Sequence, residues 1–294
     1  MQALMRPLDF SSDTTPLGHL ALLRFSGPDA ASFLQGQLTC DTRLLADGRT
    51  QLGACTSPQG RVIALLRLRQ TEAAVLALLP LELVEDVARH LRRYVLRAKV
   101  AIESAADLRL YALDRASAAS MAQGVAFDYA DGRRLVAMPR ATPPSAGPAV
   151  HPQSPADVDR DWRAADIAAG LPQVVAATSQ AFVPQMLNLD LLDAISFSKG
   201  CYTGQEIVAR TQHLGRIKRR TLRYHLAPGP EPAPLAGLHR AGVKVAEVLQ
   251  AATVRDGVEL LAVTAREARG ASLEADDGRI AVPLELPYAV PDGG

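Results

Sequence analysis

Two proline-rich segments limit how this chain can fold, because neither can form a long helix or a central strand. Five prolines lie within residues 141–157, and residues 228–234 (PGPEPAP) form a second cluster. A proline lacks the backbone N–H that a helix interior or a sheet ladder requires. Both segments are therefore predicted to be surface connections. They divide the 294 residues into separately packed parts, as the chain length also favours.

Short strand patterns alternate with helix patterns before the second proline segment. Leu83, Val87 and Leu91 share one face of a predicted amphipathic helix over residues 81–94. The predicted strands are residues 19–25, 50–56, 61–68, 73–79, 99–103, 108–113 and 134–138. This mixture indicates an α+β fold. After residue 234, short Val- and Leu-rich stretches between glycine turns predict a small β-barrel or sandwich.

Composition excludes several classes of protein. The chain has 32 basic and 31 acidic residues, so its net charge gives no reason to expect direct nucleic-acid binding. No apolar run is long enough to cross a bilayer, and the N-terminal sequence MQALMRPLDFSSD lacks a secretory pattern. Its three cysteines form no C-x-x-C motif. We predict a cytoplasmic protein with reduced thiols and no membrane association.

The segment 196–215 (SFSKGCYTGQEIVARTQHLG) concentrates the reactive chemistry of the chain. Thr203 and Glu206 have the spacing of a capping box, which places Cys201 just before a helix that ends at Gly215. The helix dipole and the charge of Lys199 both favour a thiolate, which is nucleophilic and can bind metal. The alternative interpretation is a small buried cysteine in a tight turn.

Other motifs in the sequence give weaker signals. No cysteine or histidine has metal-ligand spacing around Cys201, so we predict no resident metal but leave open a transient cluster on this residue. Nucleotide-binding glycine motifs are absent from the sequence. One group of cations, Arg216, Lys218, Arg219 and Arg220, is a candidate for phosphate or carboxylate contacts. A second group, Arg61, Arg67 and Arg69, shares one face of a predicted strand and is interpreted as a solvated basic face, with RNA contact as the alternative.

The run KGCYTGQE (199–206) resembles the signature of the YgfZ family, folate-binding proteins of the aminomethyltransferase (glycine-cleavage T-protein) superfamily. The resemblance continues in FVPQMLNLD (182–190), ISFSKG (195–200), FLQGQLTCD (33–41) and SPQGR (57–61). It implies a three-domain ring around a central hole, with two α+β domains and a C-terminal β-barrel. The expected domains are 1–47 with 142–215, then 48–141, then 216–294.

The resemblance also implies a function. A tetrahydrofolate would bind in the central region, and the protein would assist assembly or repair of iron–sulfur clusters in client enzymes, including a radical enzyme that modifies tRNA. The implied partners are folate and iron–sulfur client or assembly proteins. Cys201 and Lys199 would be the reactive residues. The implied folate contacts are Tyr202, Gln185, Asn188, Gly204, Gln205, Glu206 and Arg210.

Two departures from the superfamily pattern bear on activity. T-proteins carry an Asp-Asp pair where this chain has Ala64 and Leu65, neither of which can transfer a proton. They also have a pterin-contacting Glu where this chain has Ala168, although Asp166 lies two residues away. We therefore expect a maintenance factor rather than a conventional enzyme. A tetrahydrofolate-dependent one-carbon transferase and an RNA-contacting accessory protein in tRNA modification are the two alternatives.

Overall fold

The computed structural model describes residues 15–113, 124–141, 154–213 and 217–291, so most of the first proline segment, together with Gly215 and Arg216, lies outside the described residues. The α-helices are α1 Ala30–Gln35, α2 Val84–Arg92, α3 Pro155–Ala168 and α4 Gln205–His213. The first nine strands are β1 Pro16–Leu17, β2 Leu20–Ser26, β3 Gln51–Thr56, β4 Val62–Gln70, β5 Ala74–Pro80, β6 Ala101–Ser104, β7 Leu108–Leu113, β8 Val125–Asp128 and β9 Arg134–Pro139. The remaining strands are β10 Arg219–Leu226, β11 Gly237–Arg240, β12 Val243–Val254, β13 Gly257–Ala265, β14 Leu273–Ala275 and β15 Ile280–Leu284. In the described part of the chain, no helix combines the length and apolarity needed to span a bilayer.

Strands β2 to β6 form one antiparallel sheet in the order β3-β4-β5-β2-β6. The apolar positions of β2 that the sequence predicted, including Leu23 and Phe25, are fully buried in its core. Helix α2 buries Val87 and Leu91 in the same core. Strand β2 precedes residue 47 and pairs with β5 and β6 beyond it, so this sheet extends across the expected domain boundary at residue 47. The domain boundaries stay predictions.

A second sheet has the order β1-β7-β9-β8 and packs against α3. Phe127, Leu135, Val158 and Trp162 are completely buried between them. Ser154 caps α3 by accepting a hydrogen bond from the backbone N–H of Asp157. The helix therefore begins at Pro155. Helix α3 carries Arg163 and Asp166, which line cavities described below, and Asp159, which bonds another lining residue.

The C-terminal strands close into a barrel in the order β10-β13-β12-β11-β14-β15, as the alternation of Val and Leu with turn residues predicted. Tyr224, Leu238, Val248 and Leu260 fill its interior with no exposed surface. Closure pairs both edges of the sheet and removes the unpaired strands that would otherwise favour aggregation.

The FVPQMLNLD segment joins the barrel to the rest of the molecule. Pro184–Leu187 of this segment is a 3-10 helix, and Pro184 occupies its first turn, where no N–H is needed. Arg220 of β10 and Asp190 form a buried ion pair, with Nη2 to Oδ2 at 2.8 Å and both side chains 6% exposed. Thr221 also donates to the carbonyl oxygen of Met186. The segment is therefore a fixed connection between the barrel and the remaining structure.

Candidate functional site

The cysteine turn, residues 196–204, is anchored to the N-terminal segment 36–40. Lys199 Nζ donates to the carbonyl oxygens of Leu38 and Cys40, both at 2.7 Å. Thr203 N donates to Gly36 O at 3.3 Å. A second link joins Ser196 N to Thr39 O at 2.9 Å. Two of the segments that carried the family resemblance are thus held together in space.

Lys199 was expected to supply a charge beside Cys201, and the structure places its amine elsewhere. The side chain is only 6% exposed, and its amine is bonded to the two carbonyl oxygens of the N-terminal segment. Burial lowers the pKa of this amine to about 8. Its contacts show that Lys199 positions the turn, while its expected reactive role stays a prediction.

Cys201 lies on the surface, so the interpretation of it as a buried packing cysteine is wrong. Cys40 and Cys55 are the buried cysteines, and burial raises the pKa of each thiol to about 12. In the same turn as Cys201, the ring of Phe197 is 40% exposed and meets His213 edge to face at 5.8 Å between centroids. The thiol is therefore open to a macromolecular partner.

Helix α4 begins differently from the predicted capping box. Thr203 Oγ1 donates to Gln37 Oε1 instead of accepting from the helix, and Gly204 has a φ of 81°. The carbonyl oxygen of Gly204 accepts the first helical bond, from Val208 N at 3.3 Å. The expected pair of Glu206 and Arg210 is present at 2.7 Å on the exposed face. The capping box is absent because Gly204 must leave helical geometry to approach the loop before β4.

The two glycines that flank Cys201 make a matched pair for mutation. A Cβ on Gly204 would lie 2.5 Å from Ser57 O, whereas a Cβ on Gly200 would meet nothing within 4 Å. We expect Gly204→Ala to reduce the free energy of unfolding by roughly 1–3 kcal/mol, through its positive φ and this close contact. Gly200→Ala should change it by less than about 0.5 kcal/mol. Urea unfolding of both variants measures the difference, and equal losses would show that Gly204 is not constrained.

Two of the expected folate contacts are buried structural groups. Gln185 Nε2 donates to Val208 O at 2.8 Å, and Asn188 Nδ2 donates to Thr221 O at 2.8 Å. Both side chains are completely buried. Their contacts fasten the connecting segment to α4 and to the barrel.

The other expected folate contacts belong to the cysteine turn and the start of α4. Tyr202 is buried, and its ring lies 5.2 Å from Lys199 Nζ. Gln205 Oε1 accepts from the backbone N–H of Tyr202 at 3.2 Å. Glu206 and Arg210 are exposed and paired with each other. Cys201, Glu206 and Arg210 are thus the exposed members of this region.

The larger cavities lie away from this turn. Cavity 1, about 490 Å³, lies between α3, the loop after β5 and the barrel. Cavity 2, about 800 Å³, lies between the second sheet, the loop before β3 and the C-terminal segment. Among the described residues, neither lining includes Cys201 or any of the seven expected folate contacts. Sequence reasoning missed these cavities because their walls come from distant parts of the chain.

A small pocket of about 20 Å³, called the passage here, shares lining residues with both cavities. Its lining includes two charged residues, Arg67 and Asp166. Asp166 is buried there, and Arg133 Nη2 donates to its Oδ1 at 2.7 Å. Burial raises the pKa of Asp166 despite this pair. Arg67 lies over the ring of Tyr129, 3.7 Å from its centroid, and makes no ion pair with a described carboxylate. Arg67 is thus a cation available to an anionic ligand.

The positions that distinguish this chain from T-proteins lie at or near the same passage. Leu65 lines it, while Ala64 is buried in the core behind it. Among the described residues that line the passage, the acidic one is Asp166, which was expected to compensate for Ala168. The passage therefore has an apolar side chain at the position where the superfamily resemblance implied an acid.

Two residues of the basic cluster that suggested RNA contacts are paired with acidic groups of the protein. Arg220 is buried against Asp190, and Arg219 pairs with Glu247 at 3.3 Å. In the other group, Arg61 Nη1 donates to Ala181 O at 2.7 Å. Within the described ranges, no three His, Cys, Asp or Glu residues are grouped to hold a metal ion.

Comparison with known proteins yields relatives along most of the chain. No family model matches it. The tRNA-modifying protein YgfZ of Colwellia psychrerythraea is 32% identical over 223 residues, which are 69% of this chain and 68% of that protein. The tRNA-modifying protein YgfZ of an Enterobacter species is 30% identical over 286 residues, which are 90% of this chain and 82% of that protein.

A solved structure supports the fold. The glycine cleavage system aminomethyltransferase T from Bartonella henselae superposes with a TM-score of 0.66 at 15% identity, covering 93% of this chain and 85% of that one. The predicted α+β fold of the T-protein type, with its C-terminal barrel, is confirmed.

Proposed function

The chain belongs to the YgfZ family, and from this premise we propose that it binds a reduced folate in its cavities and presents Cys201 to partner proteins whose iron–sulfur clusters it helps to assemble or repair. The curated relatives carry the name tRNA-modifying protein, so we include enzymes of tRNA modification among these clients. The observation that carries the proposal is that the exposed Cys201 lies outside the linings of both cavities.

The cavities fit a folate in size and in chemistry. A binding pocket for a ligand of this size typically has a volume of about 300–1,000 Å³ and a mostly apolar wall with a few placed polar groups. Cavity 1 has apolar walls that include Leu81, Val175 and Leu249. Cavity 2 contains Arg67, which suits the carboxylates of the glutamate tail. When bound, a reduced folate would supply one-carbon or redox chemistry.

The described residues favour a binding and maintenance role over one-carbon transfer. Leu65 cannot donate or accept a proton at the passage, and the buried carboxylate of Asp166 is already bonded to Arg133. The exposed Cys201 can instead react with a cluster or a persulfide on another protein. The cluster and the persulfide are both substrates of cluster assembly. The partner protein would supply the remaining ligands, since one cysteine cannot hold a cluster alone.

Calorimetric titration with tetrahydrofolate tests the folate part of this proposal. We expect stoichiometric binding to the unmodified protein and at least a roughly tenfold rise in Kd for Val175→Phe, whose larger side chain would occupy cavity 1. Val243→Phe is the matched control, because Val243 is 63% exposed on the barrel and lines neither cavity. A protein that gives no heat of binding, or a Val175→Phe variant that binds normally, would contradict the proposed site.

A further inference from the structure

A histidine–aspartate pair borders cavity 1 and has no assigned role. His19, in the turn between β1 and β2, lines the cavity. Its Nδ1 lies 2.7 Å from Oδ1 of Asp159 on α3, a residue 140 positions away in the sequence. Asp159 Oδ1 also accepts from Gly18 N at 2.8 Å. Gly18 allows this approach, since a Cβ there would lie 3.2 Å from Asp159 Oδ2.

The pair fixes the tautomer of the imidazole ring. A carboxylate can only accept, so Nδ1 carries the hydrogen that Asp159 receives, and in the neutral ring Nε2 keeps a free lone pair. Burial would raise the pKa of Asp159, but its hydrogen bonds with His19 and Gly18 outweigh burial and lower it. The backbone of His19 is also held in place, because Leu81 N donates to His19 O at 2.9 Å.

Nε2 of His19 is buried and has no hydrogen-bond partner. Among the described residues that line cavity 1, only His19 has a buried side-chain nitrogen or oxygen without a hydrogen-bond partner. Polar side chains elsewhere in the cavity wall already have partners. Arg163 donates to Glu231 at 3.1 Å, and Glu82 Oε1 accepts from Ala176 N at 2.9 Å. A buried unpaired acceptor is costly unless a ligand or water satisfies it.

We propose that His19, oriented by Asp159, is the hydrogen-bond acceptor for a ring N–H of the reduced pterin in cavity 1. The inference rests on the proposed folate binding. A reduced pterin ring is rich in N–H donors, and the cavity wall offers carboxylates of Glu82, Asp166 and Glu231 with a single arginine that is already paired. Such a lining favours a neutral donor-rich ring over an anion. His19 would thus provide the ring contact that Ala168 cannot provide.

Calorimetry with 5-formyltetrahydrofolate, a stable reduced folate, measures the contribution of each residue. We expect His19→Ala to raise Kd roughly tenfold or more, because a ligand donor would be left unpaired in an apolar cavity. Asp159→Asn, which keeps the side-chain shape, should raise Kd by a smaller factor because it permits the other tautomer. The control is the His239–Asp276 pair on the barrel, separated by 3.5 Å and outside both cavity linings. His239→Ala should leave Kd unchanged.

Nitrogen-15 NMR of the imidazole rings separates orientation from folding. In the free protein, His19 Nε2 should give the downfield signal of an unprotonated nitrogen, assigned by its loss in His19→Ala, and folate should move that signal upfield. Asp159→Asn should reduce the unprotonated Nε2 population without altering the thermal unfolding midpoint by more than a few degrees. Normal folate affinity in His19→Ala would overturn the role of His19 while leaving folate binding intact. Absence of binding to the unmodified protein would overturn both.

Discussion

A strain whose only copy carries Cys201→Ala will lose the activity of cluster-dependent tRNA-thiolating enzymes under oxidative stress, to nearly the level of a deletion strain. The physical reason is that Cys201 is the exposed thiol of the described chain, while Cys40 and Cys55 are buried and their pKa values are raised to about 12. Thiolates, not thiols, react with clusters and persulfides. Mass spectrometry of thiolated nucleosides in tRNA from the stressed strain gives the measurement.

Two controls make the Cys201 experiment decisive. Ser198→Ala changes another exposed side chain of the same turn and should leave thiolation normal. Purified Cys201→Ala should bind tetrahydrofolate with unchanged Kd, because Cys201 lines neither cavity. Normal thiolation in the Cys201→Ala strain would eliminate the proposed role of the thiol, whereas lost folate binding would show that the turn and the cavities are coupled.

Asp190→Ala should cause the largest loss of stability among the variants considered, about 3–5 kcal/mol in the free energy of unfolding. The substitution leaves the guanidinium of Arg220 buried without its carboxylate, at the junction between the barrel and the rest of the protein. Urea unfolding followed by circular dichroism measures the loss.

The matched control for Asp190→Ala is Glu247→Ala, which breaks partly exposed ion pairs with Lys244 and with Arg219, the neighbour of Arg220 on β10. It should cost no more than about 1 kcal/mol, since exposed ion pairs contribute little. The double variant Asp190→Leu with Arg220→Met should recover much of the stability lost in Asp190→Ala, because it leaves no unpaired buried charge. Similar losses for Asp190→Ala and Glu247→Ala would show that burial of the Asp190–Arg220 pair does not increase its contribution to stability.

Local patterns predicted the secondary structure well. The strands around Leu23 and Leu66 and the helix around Val87 follow from the periodicity of apolar residues, because burial on one face requires that periodicity. The capping box at Thr203 was wrong for a tertiary reason. The close contact of Gly204 with Ser57 O sets the backbone there, and that contact joins residues far apart in sequence.

The cavities could not be predicted in the same way. The sequence identified Cys201 because its neighbours form a compact motif, whereas His19 and Asp159 are separated by 140 residues and carry no local signal. The folate contacts expected at Gln185 and Asn188 followed from the motif, but the structure uses both side chains to bond backbone carbonyl oxygens. Arg67 was assigned to a solvated basic face, although its guanidinium stacks on Tyr129 beside the passage.

The anchoring of the cysteine turn also has a consequence for synthesis of the chain. The bonds from Lys199 to Leu38 and Cys40 span 161 and 159 residues, so they form only after about two thirds of the protein has left the ribosome. Contacts of such high sequence separation form late, because the loop-closure entropy must first be overcome. Until then, the N-terminal segment 36–40 lacks the lysine that binds its carbonyl oxygens. A nascent chain therefore acquires Cys201 and the lysine that anchors its turn almost simultaneously, so Cys201 spends little time in an unanchored turn.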